Sequence, residues 1–344
     1  MEKPMKYKSV VATKRGGPEV LQITENELRH PAAGEVQVKI LATSVGGTDI
    51  NYRRGYSPLS PKVPFVPGYE MVGVVQAVGK GVTRVTVGQR VAALTGYGSY
   101  TEVMYIAQEH LAPVPQALDP AEVVTLVLNY VTAYQMLHRV ARVKSGDKVL
   151  LIGASGGVGT ALLQLGRLSG LKMYGTASAS KHSLLAELGA TPIDYHSQDL
   201  VEVLQRAEPD GLDFVFDGMG GEYSRRGLAV LRRGGKLVEY AAPVGLAELV
   251  LGLIKLAAIN ILPNGKSAEF YGITAVYMRD KKPFMQDLPV LYKLLEESKI
   301  KPVITQRFPI LEARKANELL ESGQVSGNIV LLAPELMESK SGQA

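Results

Sequence analysis

The sequence predicts an α/β chain of two domains, a β-barrel-type unit and a doubly wound parallel-sheet unit. Three observations predict it. Residues 1–125 hold short valine-rich runs punctuated by glycine and proline. From about residue 132 onward, helix-like and strand-like segments alternate, which implies parallel strands joined by helical crossovers. The length, 344 residues, exceeds one core and suits two.

In the first unit, "EVQVKILATSV" (35–45) alternates and then becomes continuously apolar. "VGVVQAVG" (72–79) and "GQRVAAL" (88–94) are short strands between glycines. The pattern turns helical over 132–142. "KVLLIG" (148–153) reads as a buried strand, followed by an apolar-faced helix in "GGVGTALLQLGRLSG" (156–170). "LKMYGTAS" (171–178) is a second strand, and "SKHSLLAELGA" (180–190) a helix with Ser180 as N-cap. "PIDY" (192–195), "LDFVFDGM" (212–219) and "GKLVEYAA" (235–242) continue the series. The doubly wound unit looks complete by about residue 300. The strand–helix–strand pattern of 301–333 is therefore assigned to the first domain, giving 1–125 with 301–344 and 126–300. The small, polar tail "ESKSGQA" is expected to fray.

"LAELVLGLIKLAAINIL" (246–262) stands apart, with only Glu248 and Lys255 charged. It is too short and interrupted to read as a membrane span. A helix packed at an interface is expected; the alternative is a helix lying on a membrane surface.

Composition narrows the function. No cysteine is present, which excludes disulfides, thiolate nucleophiles and cysteine-held metals. That suits a reducing, cytoplasmic setting, and the N-terminus lacks the apolar run of a signal peptide. The net charge of +5 comes from 38 basic and 33 acidic residues without a long basic tract. Nucleic acid is therefore a poor partner.

The most specific motif is "LLIGASGGVGTALLQL", a strand, a glycine turn and a helix in direct succession. Ala154-Ser155-Gly156-Gly157-Val158-Gly159 has the G-x-G-x-x-G spacing, with Ala154 in the first glycine's place. Gly156 admits a pyrophosphate to the backbone, and Gly159 lets helix and strand pack closely. The helix N-terminus offers N–H groups and a positive dipole end to the anion. At the end of the next strand no carboxylate awaits a ribose hydroxyl. Ser178 and Lys181 stand there instead, donors suited to a 2′-phosphate, with Tyr195 flanking the same pocket. The cofactor expected is NADPH.

These motifs, with "TDINYRRG" (48–55), "PFVPGYEMVGVVQAVGKGVTRVTVGQRVA" (64–92), "NYVTAY" (129–134) and "GNIVLL" (327–332), carry a family resemblance over nearly the full length. The chain resembles the medium-chain dehydrogenase/reductase superfamily, and most of all its zinc-free quinone oxidoreductase branch. "GTASASKH" (175–182) and "PIDYH" (192–196) are similar to the subgroup containing synaptic vesicle membrane protein. The resemblance implies a GroES-like catalytic domain and a Rossmann cofactor domain.

Matched residue by residue, Gly46 and Leu128 replace the two cysteines, and Tyr69 the histidine, that hold catalytic zinc in the alcohol dehydrogenases. Two of the three cannot coordinate, so no metal site is expected. Without a Lewis acid, the feasible acceptors are already conjugated: quinones and α,β-unsaturated carbonyl compounds. The resemblance offers Tyr52, Tyr69 and Thr48 as hydrogen-bond or proton donors, each with a structural alternative: packing, volume filling or helix capping. Thr132 matches a threonine near the nicotinamide, and Ala241, in "GKLVEYAA", completes the expected cofactor contacts. Quinone oxidoreductases commonly carry Asn where Gly46 stands, a departure that removes a polar contact. The resemblance also implies a homodimer, with "FYGITAVY" (270–277) as the joining edge strand.

Overall fold

The computed structural model describes residues 5–240 and 244–338. The chain divides into two compact units, 1–128 with 288–344 and 129–287.

The first unit opens with β1 (Lys6–Ala12) and β2 (Leu21–Glu27), paired antiparallel. Next come β3 (Glu35–Val45), helix α1 (Gly47–Arg54), β4 (Glu70–Val78), β5 (Arg90–Leu94), β6 (Val103–Ala107) and β7 (Ala112–Pro113). Helix α2 (Pro120–Thr125) starts on a proline, and the Asp119 carboxylate accepts from the Ala121 N–H.

The second unit contains α3 (Val131–Gln135), continued by a π-helical segment over Met136–Ala141, then β8 (Lys148–Ile152) and α4 (Gly157–Leu168). There follow β9 (Lys172–Ala177), α5 (His182–Glu187), β10 (Ala190–Asp194), α6 (Leu200–Ala207) and β11 (Leu212–Asp217). The unit continues through α7 (Glu222–Val230), β12 (Leu231–Glu239), α8 (Gly245–Ile261), β13 (Ser267–Phe270) and α9 (Ile273–Arg279). After α10 (Lys282–Glu296), the chain ends with β14 (Ile304–Pro309), α11 (Ala313–Glu321), β15 (Asn328–Leu332) and α12 (Pro334–Glu338).

The sheet of the first unit runs β14-β15-β3-β4-β5-β7, with β6 also paired to β3. Only β14 and β15 pair in parallel. Along β3, side chains alternate between buried and half-buried, then all become buried from Ile40 onward, matching the change of pattern in the sequence. That second half holds the site residues Thr43 and Ser44.

The sheet of the second unit is parallel throughout, in the order β10-β9-β8-β11-β12-β13. Its core includes Leu150, Ile152, Ile193, Val215 and Leu237, all fully buried. Strand order reverses direction between β8 and β11. In such sheets ligands enter the crevice at the carboxyl ends of those two strands.

Two local expectations change. "FYGITAVY" is not a strand: the edge strand β13 ends at Phe270, and Ile273–Arg279 is helix α9. Its β-branched and aromatic residues serve helix packing instead, Tyr277 meeting Phe284 edge-on at 5.1 Å. A dimer joined by 270–277 therefore has no strand to use. Ser180 does not cap a helix, because a short 3₁₀ turn opens at Ser178 and α5 begins only at His182. The tail from residue 339 lies outside the described residues, as does Ala241.

The apolar 246–262 segment is helix α8, whose one buried residue is Leu256. Leu246, Leu251, Leu253, Ile254 and Ile261 are all exposed. Among the described residues, no helix is long and apolar enough to cross a membrane. A cavity of about 580 Å³, lined in part by Leu237, Glu239, Leu256 and Phe270, opens beneath α8.

Candidate active site

In the first unit, the site grows from the junction of β3, α1 and β4. Asp49, in the first turn of α1, is buried, and its two carboxylate oxygens hold two different backbones. Oδ2 accepts from the Gly46 N–H at 2.9 Å and Oδ1 from the Gly68 N–H at 2.9 Å. The helix bearing Thr48 and Tyr52 is thus tied to the turn that delivers Tyr69. Gly68 adopts φ +103° and packs directly against Ser99, so no other residue fits that turn. The Tyr69 carbonyl then accepts from the Thr95 and Gly96 N–H groups at 2.9 and 3.0 Å.

The result is a phenol pair. The rings of Tyr52 and Tyr69 lie 5.9 Å apart, tilted by 49°. Burial raises the pKa of both hydroxyls above the ordinary phenol value, so both stay protonated. Thr48 sits half-buried one turn before Tyr52.

Behind the phenols lies Glu70, fully buried. Ser44 Oγ donates to its Oε1, while Oε2 has no hydrogen-bond partner. Its backbone carbonyl accepts from Thr43 Oγ1 and Ser99 Oγ, each at 2.8 Å. Burial, reinforced by the neighbouring Asp49 charge, pushes the Glu70 carboxyl up to about 8. Asp49 is pushed up to about 6, again by burial, against the pull of its two N–H donors. Burial and the Asp49 charge thus both favour the neutral acid form of Glu70.

The residues at the expected metal position do not fit a metal. Gly46 has no side chain, Leu128 has no donor atom, and the Tyr69 phenol is buried and protonated. Among the described residues, no group of three or more His, Cys, Asp or Glu side chains is arranged to hold an ion.

The second unit holds the glycine turn. Strand β8 ends at Ile152, and Gly153 takes φ +82°. The left-handed turn thus falls on Gly153, one residue before Ala154, which is fully buried and faces Gly175 of β9. Gly156 is the N-cap of α4 in extended conformation, its open side leaving the helix N-terminus clear. A Cβ on Gly159 would lie 2.5 Å from the carbonyl oxygens of Gly153 and Ala154, so helix and turn touch there. Ser155, Gly157 and Val158 complete the rim. This cradle fits a pyrophosphate.

Ala177 is in register with Asp194, so Ser178 and Tyr195 leave the sheet on neighbouring strands. Lys181 is half-buried just beyond, and desolvation lowers its pKa below the ordinary lysine value. Tyr195 is 40% exposed, its ring 4.2 Å from that of His196 and tilted by 41°. Thr132 is buried, and its Oγ1 has no partner among the described residues, as expected of a group waiting for a ligand.

Sequence reasoning missed the loop after β11. Asp217, fully buried, accepts from the Met219 and Gly220 N–H groups at 2.8 and 3.0 Å and from Ser224 Oγ at 2.7 Å. This fixes Met219 near Gly153, across the crevice between β8 and β11. The signal was present as "DGMGG" directly after a buried strand.

Comparison with known proteins agrees with this architecture. Residues 32–116 match the alcohol dehydrogenase GroES-like domain, and residues 188–331 match the zinc-binding dehydrogenase family. The chain is 30% identical to the synaptic vesicle membrane protein VAT-1 homolog of Danio rerio, over 97% of this chain and 72% of that one. It is 30% identical to the quinone oxidoreductase of Rattus norvegicus, over 92% of this chain and 95% of that one. The crystal structure of Escherichia coli quinone oxidoreductase complexed with NADPH superposes with a TM-score of 0.84 at 28% identity, covering 94% of this chain and 99% of that one. The chain belongs to the zinc-free quinone oxidoreductase branch of the medium-chain dehydrogenase/reductase superfamily.

Proposed function

We propose that this protein is an NADPH-dependent oxidoreductase that reduces a quinone or an α,β-unsaturated carbonyl compound without a metal. The observation that carries the reading is the phenol pair. Where a metal enzyme keeps a ligating histidine, Tyr69 is packed on Tyr52. NADPH supplies the hydride when bound.

The chain's own residues do the rest. The N–H groups at Ser155, Gly157 and Val158 take the pyrophosphate; Gly156, its own N–H given to the Gly153 carbonyl, lets the anion approach, and Gly159 and Ala154 close the turn behind them. Ser178, Lys181 and Tyr195 take the 2′-phosphate end, and Thr132 Oγ1 takes a polar group of the nicotinamide. The acceptor gains a hydride and a proton, and Tyr52, Tyr69 or Thr48 donates the hydrogen bond or the proton to its developing oxyanion. Conjugation spreads that charge, so a neutral phenol is enough. In this reading 1–125 with 301–344 form the catalytic domain and 126–300 the cofactor domain. The protein works in the cytoplasm as a homodimer.

The test is consumption of NADPH by the purified protein across a panel of quinones and enones, repeated with NADH. Turnover of at least one acceptor class with NADPH, and little with NADH, is expected. No turnover across the panel overturns the enzymatic reading. Equal use of NADH overturns the assignment of Ser178 and Lys181.

The exposed apolar side chains of α8 favour a second reading: an NADPH-binding protein of little turnover that associates with a membrane through 246–262. Sedimentation with phospholipid vesicles, lost on replacing Leu251 and Ile254 by Glu, would support it. Absence from the vesicle pellet would exclude it.

A further inference from the structure

Four side chains of the second unit form one hydrogen-bonded chain that the proposed function does not use. Tyr271 Oη donates to Gln135 Oε1 at 2.7 Å, and Gln135 Nε2 donates to Asp287 Oδ2 at 2.7 Å. Arg139 closes on both oxygens of the same carboxylate, Nε to Oδ2 at 2.8 Å and Nη2 to Oδ1 at 2.6 Å. Tyr271, Gln135 and Asp287 are all buried. Gln135 accepts through its oxygen and donates through its nitrogen, so its amide has one orientation. A buried network satisfied in this way is rigid.

The chain reaches the ligand side of the parallel sheet. Tyr271 directly follows β13, and its N–H donates at 2.8 Å to the carbonyl of Glu239, the last residue of β12. It therefore stands at the carboxyl ends of the strands, where ligands bind in such sheets. Gln135 is three residues after Thr132 on α3, a spacing that puts both on one helix face. Thr132 is buried with its Oγ1 unpartnered. The Tyr271–Gln135 bond thus ties the turn bearing that free hydroxyl to the carboxyl edge of the sheet, and Asp287 with Arg139 holds Gln135 from its other end.

We infer that Gln135 and Tyr271 are positioning residues: they fix α3 so that Thr132 Oγ1 meets the nicotinamide end of NADPH. The inference rests on the cofactor reading above. An apolar side chain at 135 would fill the same space without burying polar groups; the network adds a fixed direction.

The test measures dissociation constants by calorimetry for NADPH and for adenosine 2′,5′-bisphosphate, which carries the 2′-phosphate end and no nicotinamide. Gln135→Met and the milder Tyr271→Phe, which keeps the ring, are each expected to weaken NADPH about fivefold, with the bisphosphate unchanged within about twofold. Thr132→Ala should do the same. The Thr132→Ala/Gln135→Met double variant should be no weaker than the worse single one, because both losses act through one hydroxyl. Equal weakening of both ligands by Gln135→Met and Tyr271→Phe overturns the inference, since it marks a general structural role. So do multiplying losses in the double variant, and so does unchanged NADPH binding by Gln135→Met and Tyr271→Phe when Thr132→Ala weakens it. Unchanged NADPH binding by Thr132→Ala itself overturns the assignment of Thr132 in the cofactor reading, and the inference with it.

Discussion

The Tyr52 and Tyr69 rings lie 5.9 Å apart at a tilt of 49°, each side chain no more than 5% exposed. Both hydroxyls are held above the ordinary phenol range by burial. If one donates to the acceptor oxygen, its loss is felt in turnover and not in cofactor binding. Tyr52→Phe or Tyr69→Phe is expected to lower kcat by about a hundredfold with the NADPH dissociation constant unchanged. Neither phenol ionises below about pH 10, so the activity it supports should show no alkaline fall in the assay range. Full activity in both single variants would leave the pair a packing feature.

Glu70 and Asp49 make stability depend on pH. Both carboxyls are raised in the folded state, to about 8 and about 6. The folded protein therefore holds protons that the unfolded chain has released. That contribution is full below about pH 4 and is lost as pH rises through about 6 and then 8. Glu70→Gln, which cannot ionise, should overtake the unaltered protein in urea unfolding as pH rises from about 5 to 8, by on the order of a few kcal/mol. Parallel pH curves for the two proteins would show that Glu70 is not held neutral by its surroundings.

Arg53 anchors the far end of α1. It is 1% exposed, donates to the Gly16 carbonyl at 2.7 Å, and pairs with Glu321 of α11. Arg54 reaches the other Glu321 oxygen at 2.6 Å. Replacing Glu321 by Gln leaves a buried guanidinium without its counter-charge. The expected loss is about 3 kcal/mol in equilibrium unfolding, with a smaller fall in kcat as Tyr52 loses its fixed helix. A change below about 0.5 kcal/mol would place this pair among ordinary surface ion pairs.

At the cofactor end, charge and close packing separate. Lys181→Ala should weaken NADPH about tenfold and leave NADH affinity unaltered, because only the 2′-phosphate needs the cation. Gly159→Val should abolish binding of both, since its side chain has no space against the Gly153 and Ala154 carbonyls. Equal weakening of both cofactors in Lys181→Ala would move Lys181 away from the phosphate.

Much of this was legible in the sequence because it is written in periodicity and glycine spacing. Strands β8, β9 and β11 carry short apolar or β-branched stretches, and the parallel sheet follows from their alternation with helices. The glycine turn was readable to within one residue: the positive φ falls on Gly153 and not on the position held by Ala154. What could not be read depends on contacts distant in sequence. "FYGITAVY" has strand-like residues but packs as α9, because Tyr277 finds Phe284. The two-backbone grip of Asp49 joins residues 46 and 68, and no local pattern announces it. The Asp217 loop was missed because its role lies in accepting N–H bonds from its own turn, a property of conformation and not of residue type.

Hydride transfer without a metal is tested by the rate of NADPH oxidation with a responsive quinone after exhaustive chelation, and again after adding zinc. The same rate is expected in both, within about twofold, because Gly46, Tyr69 and Leu128 offer an ion nothing to hold. A rate abolished by chelation and restored by zinc would contradict it.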